Sequence, residues 1–204
     1  MISVKQLKVV LSSKSTKSTS EEFFKSHRYI EGYIKRVFLI GLRLQGVRYD
    51  NSVKIVDGTY LHTGALIEKV LHVLSCNAGT QRDTILKLNA AHPDFFKLKE
   101  LFLKFTAPYR NRLAHGTIEE LKDQELIDWL CHINRAFFKE FEKMLHSEFG
   151  QSAFDEPGAW GAKRGIAEAI DVTVKKLDLG RIVPVPMQLL TVKKAVIGTG
   201  YELA

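Results

Sequence analysis

The stretch "STSEEFFKSHRYIEGYIKRVFLIGL", Ser18 to Leu42, opens with two overlapping capping boxes, Glu21 following Ser18 by three positions and Glu22 following Thr19. Behind them Phe23, Ile30, Tyr33, Ile34, Val37, Phe38 and Leu42 recur at helical spacing. The pattern predicts a long first helix over roughly 20–48.

The same periodicity continues along the chain. Leu61, Ala65, Leu66, Val70, Val73 and Leu74 mark a second helix from Tyr60 that ends near Cys76. Between the two, "YDNSVKIVDGTY" reads as a loop, and "NAGTQRD" breaks the second helix. A short helical piece over Thr84 to Ala91 leads to His92-Pro93. Phe95, Leu98, Leu101, Phe102, Phe105 and Tyr109 then form a third helical stripe. Pro108 cannot donate to the carbonyl four residues back, so the helix is expected to bend or restart there, with Thr106 as a new N-cap. Gly116 supplies a left-handed stop. Thr117 with Glu120 forms another capping box, and Leu126, Trp129, Leu130, Ile133, Phe137, Phe141 and Leu145 give a fourth amphipathic helix closing at Gly150.

The expected fold is therefore mainly α, an antiparallel bundle of about four long helices over residues 20–150. Residues 1–19 form an N-terminal arm and linker, in which 1–11 alternate closely enough for a short strand. Residues 151–204, Gly-rich and then rich in Val and Ile, form a small C-terminal appendage. Its segments either pair as strands with residues 1–11 or lie over the bundle; the sequence leaves both open.

Composition narrows the function classes. Thirty Lys+Arg against 23 Asp+Glu give a net charge of +7, which favours a polyanionic partner such as nucleic acid. Cys76 and Cys131 are too few for a disulfide framework and lack zinc-site spacing, so a reducing, cytoplasmic setting is expected. The start lacks the apolar core of a secretory signal. The longest apolar run near it, Val37 to Leu42, is too short to span a bilayer, so a soluble protein without membrane contact is expected.

One polar cluster interrupts the apolar stripes: "TAPYRNRLAHG", Thr106 to Gly116, ends the third helix with Arg110, Asn111, Arg112 and His115 within six residues. On a straight helix Arg110 and His115 point about 140° apart. The bend at Pro108, the unwinding at Gly116, or a two-fold axis bringing both residues from two chains into one cleft could reconcile them. The plain alternative is a solvated helix end, with His115 as a cation favoured by the macrodipole. Spacing alone decides nothing: with ten arginines and seven histidines, about one such pair arises by chance.

The surroundings of the pair carry more weight. Arg110 is followed directly by Asn111, small Ala114 precedes His115, and Gly116 follows it, at the end of the third bundle helix. Here the chain resembles the HEPN superfamily: helical bundles with an arginine, a polar residue after it, and a histidine four to six residues further on. The resemblance covers residues 20–148 in architecture and seven residues in motif. It implies a metal-independent endoribonuclease working as a homodimer, in the manner of toxins and phage-defence effectors. Arg110, Asn111 and His115 then take the catalytic positions, RNA is the substrate, no cofactor is needed, and an antitoxin protein is a possible partner.

The chemistry suits those residue types. His115 can remove the 2′-hydroxyl proton, and Arg110 offers a planar fork to the phosphate. Cleavage would leave a 2′,3′-cyclic phosphate and a 5′-hydroxyl. Arg112 and Lys104, with Lys97 and Lys99 nearby, would serve the RNA backbone, although such a stripe is more often a solvated face. One toxin subgroup carries a modifiable tyrosine two residues after the motif histidine. Thr117 stands there in this chain, which speaks against that mode of control.

Other chemistry is less well supported. His27, His62, His72, His92, His132 and His146 are dispersed, without metal-ligand spacing, and Tyr109 lies on the apolar stripe as a core residue. The alternative functions are a catalytically inert HEPN-like module that dimerises and binds nucleic acid or protein, and, more weakly, a basic helical DNA-binding protein, for which no helix-turn-helix spacing is evident.

Overall fold

The computed structural model describes residues 18–45, 47–59, 62–75, 81–150 and 152–154. Among them the chain is mainly helical and contains no strand. The strand expected over 1–11, the linker after it and the appendage from 155 onward lie outside the described residues. The helices are α1 (Ser20–Leu44), α2 (Tyr49–Asp57), α3 (Thr63–Ser75), α4 (Gln81–Ala91), α5 (Pro93–Leu101), α6 (Ala107–Ala114) and α7 (Gln124–Phe149). A π-helical turn, Phe102–Thr106, joins α5 to α6. No described helix is long and apolar enough to cross a membrane.

Helix α1 begins at one of its two boxes. Glu22 N–H donates to Thr19 Oγ1 at 3.1 Å while Thr19 N–H donates to Glu22 Oε2 at 2.8 Å. The second box does not form: Ser18 N–H donates to Asp128 Oδ1 at 3.0 Å, and Glu21 pairs with Lys25 at 2.6 Å. Helix α7 starts later than its expected box. Residues 117–119 are bends, and Asp123 caps the helix by accepting from Leu126 N–H at 3.1 Å. A carboxylate three residues before a backbone N–H wins over Thr117 because the chain leaving Gly116 has not yet turned helical. Gly150, at φ +62°, closes α7 as expected.

The largest departure is α2. The Asp, Asn and Ser of "YDNS" read as turn formers, but they stand in the first turn of a helix, where such residues are favoured. Ser52 Oγ donates to Arg48 O at 2.9 Å, and Ser52 and Val56, four apart, are buried on one face. Burial of that short face decides the conformation, and Gly58 ends it. Helix α4 likewise starts at Gln81, within the stretch expected to be a break.

The described residues divide into two compact units. One comprises 31–91 and 145–154, so it takes the greater part of α1, with α2, α3, α4 and the end of α7. Gly41 permits α3 to close on α1: a Cβ there would lie 3.0 Å from Val73 Cγ1. Gln45 Nε2 donates to Val73 O at 2.9 Å and Thr63 Oγ1 donates to Glu31 Oε1 at 2.7 Å. Two arginines are buried here through backbone carbonyls: Arg43 Nη1 donates to Val47 O at 2.7 Å, and Arg36 Nε donates to Ala153 O.

The other unit comprises 18–30 and 92–144, hence the start of α1, the α5–π–α6 helix and most of α7. Its core is aromatic. Phe95 and Phe102, two turns apart, meet Phe137 and Phe141, one turn apart, with Phe95 to Phe141 at 4.8 Å and Phe102 to Phe137 at 4.5 Å between ring centroids. The His27 ring stacks on Phe102 at 4.7 Å and 6°. A polar link lies in the same core: Asn134 Nδ2 donates to Ser26 Oγ at 2.9 Å, and Ser26 Oγ donates to Phe23 O at 2.9 Å.

Phe137 touches Phe95, Phe102 and Phe141 and is fully buried. Phe137→Ala is expected to cost about 3–5 kcal/mol in denaturant unfolding. A loss below about 1 kcal/mol would mean that the phenyl cluster does not organise this unit.

Candidate functional site

The motif helix is shaped by Pro108. It offers no N–H to the carbonyl of Lys104, and its ring crowds that carbonyl. The helix widens rather than restarting. Ala107 N–H reaches back five residues to Phe102 O, and Thr106 Oγ1 donates to the same carbonyl at 2.8 Å. Thr106 has helical angles, φ −73° and ψ −42°, and makes no cap. The expected restart with Thr106 as N-cap is therefore corrected. One carbonyl that accepts two donors lets the chain pass a proline without breaking.

Helix α6 ends as the sequence predicts. Gly116, at φ +66°, donates to Leu113 O at 3.2 Å while Thr117 N–H donates to Arg112 O at 2.9 Å, the two bonds of a Schellman stop. His115 is the last near-helical residue, with φ −95°, ψ 7° and its N–H on Asn111 O at 2.9 Å. Unwinding thus begins after His115, and the π-helical turn lies before Arg110. Neither changes the angle between the two, so within one chain they point about 140° apart.

Asn111 connects them. Arg110 Nη1 donates to Asn111 Oδ1 at 3.1 Å, and Asn111 stands one turn before His115, about 40° from it around the helix. Asn111, Arg112 and His115 are exposed; Arg110 is half-buried. Tyr109 is buried, and burial pushes its hydroxyl above the usual phenol range.

The lysines expected beside the motif are partly committed elsewhere. Lys97 lies 3.7 Å from Asp94 and half-buried Lys104 lies 3.5 Å from Glu100. Lys99 is buried, its ammonium 5.1 Å from the centre of the Phe96 ring. Among the described residues no group of three His, Cys, Asp or Glu could hold a metal ion. The Cys131 thiol is buried, which pushes it up to about 11 and away from nucleophilic chemistry.

His27 is the residue that sequence reasoning missed. Dispersed spacing gives it no metal-ligand pattern, but it sits on the apolar stripe between Phe23 and Ile30, at spacings of four and three, and that position is the signal that singles it out. It is fully buried in the same unit as Arg110. Burial, and next the Arg110 charge, hold its pKa down at about 3, with the Asn134 carboxamide acting in the opposite direction. The ring is neutral at physiological pH.

The folded ring takes a proton only near pH 3, the unfolded ring near 6.5. Stability from the neutral ring is complete above about pH 6.5 and is lost as pH falls from there toward 3, by a few kcal/mol over the whole interval. Urea unfolding at pH 7, 6 and 5 should show the parent losing stability faster than His27→Gln. Equal slopes would contradict a buried neutral imidazole. Compared with known proteins, the chain matches no family model, no curated protein and no solved structure.

Proposed function

We propose that the chain is a metal-independent endoribonuclease of HEPN type, an antiparallel helical bundle acting as a homodimer in the cytoplasm, in the role of a toxin or phage-defence effector. One observation carries this reading: Asn111 holds Arg110 at 3.1 Å, while the helical face of Asn111 leads to an exposed His115 at a Schellman stop. The motif resemblance supplies the reaction class.

In that reaction His115 takes the 2′-hydroxyl proton, the 2′-oxygen bonds to phosphorus, and the bond from phosphorus to the 5′-oxygen breaks. The leaving oxygen takes up a proton from an imidazolium or water. Arg110 binds the phosphate oxygens with its fork, and Asn111 orients that fork. Because Arg110 and His115 diverge within a chain, the cleft is completed by a second copy across a two-fold axis. Arg112 and Lys104 would contact the RNA backbone, Lys104 by leaving Glu100. Thr117 in place of the modifiable tyrosine favours an antitoxin of another kind, or none.

A second reading has its own support. The pairing of Lys104 with Glu100 and the burial of Lys99 withdraw positive charge from the motif, as would suit an inert HEPN-like module that dimerises and binds nucleic acid or protein.

The two readings part in an RNA cleavage assay in EDTA, alongside growth on induction. The parent should cut RNA to 2′,3′-cyclic phosphate ends and leave DNA of the same sequence intact. His115→Ala and Arg110→Ala should each lose about 10²-fold or more in rate. Variants as active as the parent would overturn the enzyme; a parent that binds RNA without cutting it would establish the inert module.

A further inference from the structure

The widening at Phe102 has a geometric effect on Arg110. In a regular helix the two residues, eight apart, would differ by about 80° around the axis. The extra residue taken up by the π-helical turn removes roughly 100° of rotation, leaving Arg110 within about 20° of the Phe102 face. On that face lies the His27 ring, 4.7 Å from the Phe102 ring, 6° from parallel and fully buried. Arg110 is half-buried, so part of its side chain lies against the protein while the rest reaches solvent.

We propose that His27 is a positioning residue for Arg110, its buried ring forming with Phe102 the seat against which the π-helical turn sets the Arg110 side chain. The depressed pKa of His27, caused in part by the Arg110 charge, agrees with this closeness. The neutral imidazole also has a chemical advantage. A carboxylate in its place would hold the guanidinium firmly but offset the charge needed for phosphate, whereas an imidazole and the Asn111 amide orient it without neutralising it. The remaining members of the cluster keep the ring in place: Asn134 and Ser26 are hydrogen-bonded at 2.9 Å, and Phe102 lies in turn 4.5 Å from Phe137.

The catalytic consequence rests on the ribonuclease reading; the placement of Arg110 does not, and one experiment separates them. In the full chain, hydrogen exchange of the Arg110 Nε–H is followed by ¹⁵N NMR, with the resonance assigned from Arg110→Lys. Circular dichroism establishes folding. His27→Phe, which keeps an aromatic ring there but removes the imidazole nitrogens, should speed that exchange about tenfold, and His27→Gln should restore it to within about threefold of the parent. With RNA as substrate, His27→Phe should lower kcat about tenfold and raise KM less, with the pH profile unchanged because His115 is intact. If His27→Phe does not fold, His27→Leu carries the same expectation. Unchanged Arg110 exchange in a folded variant overturns the proposal. If the parent does not cut RNA, the ribonuclease reading fails and the exchange rate alone decides on His27.

Discussion

The carbonyl of Phe102 accepts two donors, the backbone N–H of Ala107 and the hydroxyl of Thr106, and its ring belongs to a near-parallel stack with His27 and Phe137. The two features meet at one residue. Pro108 forces the helix to give up a bond, and the widened turn that begins at Phe102 absorbs the loss. Everything C-terminal to Phe102 in that helix, Arg110 to His115 included, takes its rotational setting from there. A single backbone constraint thus sets the direction of the polar helix end.

Several polar groups of the core are buried with a donor meeting an acceptor. Asn134 and Ser26 link α7 to α1, and in the other unit Arg36 and Arg43 are buried against the carbonyls of Ala153 and Val47. A carbonyl acceptor for one guanidinium N–H offsets part of the cost of burying each of these side chains. The phenyl cluster contributes apolar area, and these bonds supply register. A slip of one turn would part a buried amide or guanidinium from its acceptor, at a cost of about 1–3 kcal/mol for each group left unsatisfied.

The electrostatics around the motif are sparse. Lys97 and Lys104 lie near carboxylates and Lys99 lies under an aromatic ring, while Arg112 and His115 are exposed at the helix end. Positive charge is thereby concentrated at the tip of α6 instead of along its whole approach.

Much of the fold is readable from the sequence where the cause is local. The Thr19–Glu22 box, the left-handed glycines at 116 and 150, and the stripe of Phe95, Phe102 and Phe105 depend on residues within a turn or two of one another, so the sequence by itself determined where those helices begin, end and face. Helix α2 was not readable, because Asp50, Asn51 and Ser52 suit a turn and a first helical turn equally, and only burial of Ser52 and Val56 separates the two. The same holds for the proline: its sequence announces a disturbance, but only the folded chain shows that the helix widens, with Ala107 N–H and the Thr106 hydroxyl on Phe102 O, instead of breaking. His27 is the clearest case. A histidine on an apolar stripe is legible as such, whereas its neutrality comes from enclosure by residues more than 70 positions away, and only the tertiary structure could decide it, since desolvation is a property of neighbours in space.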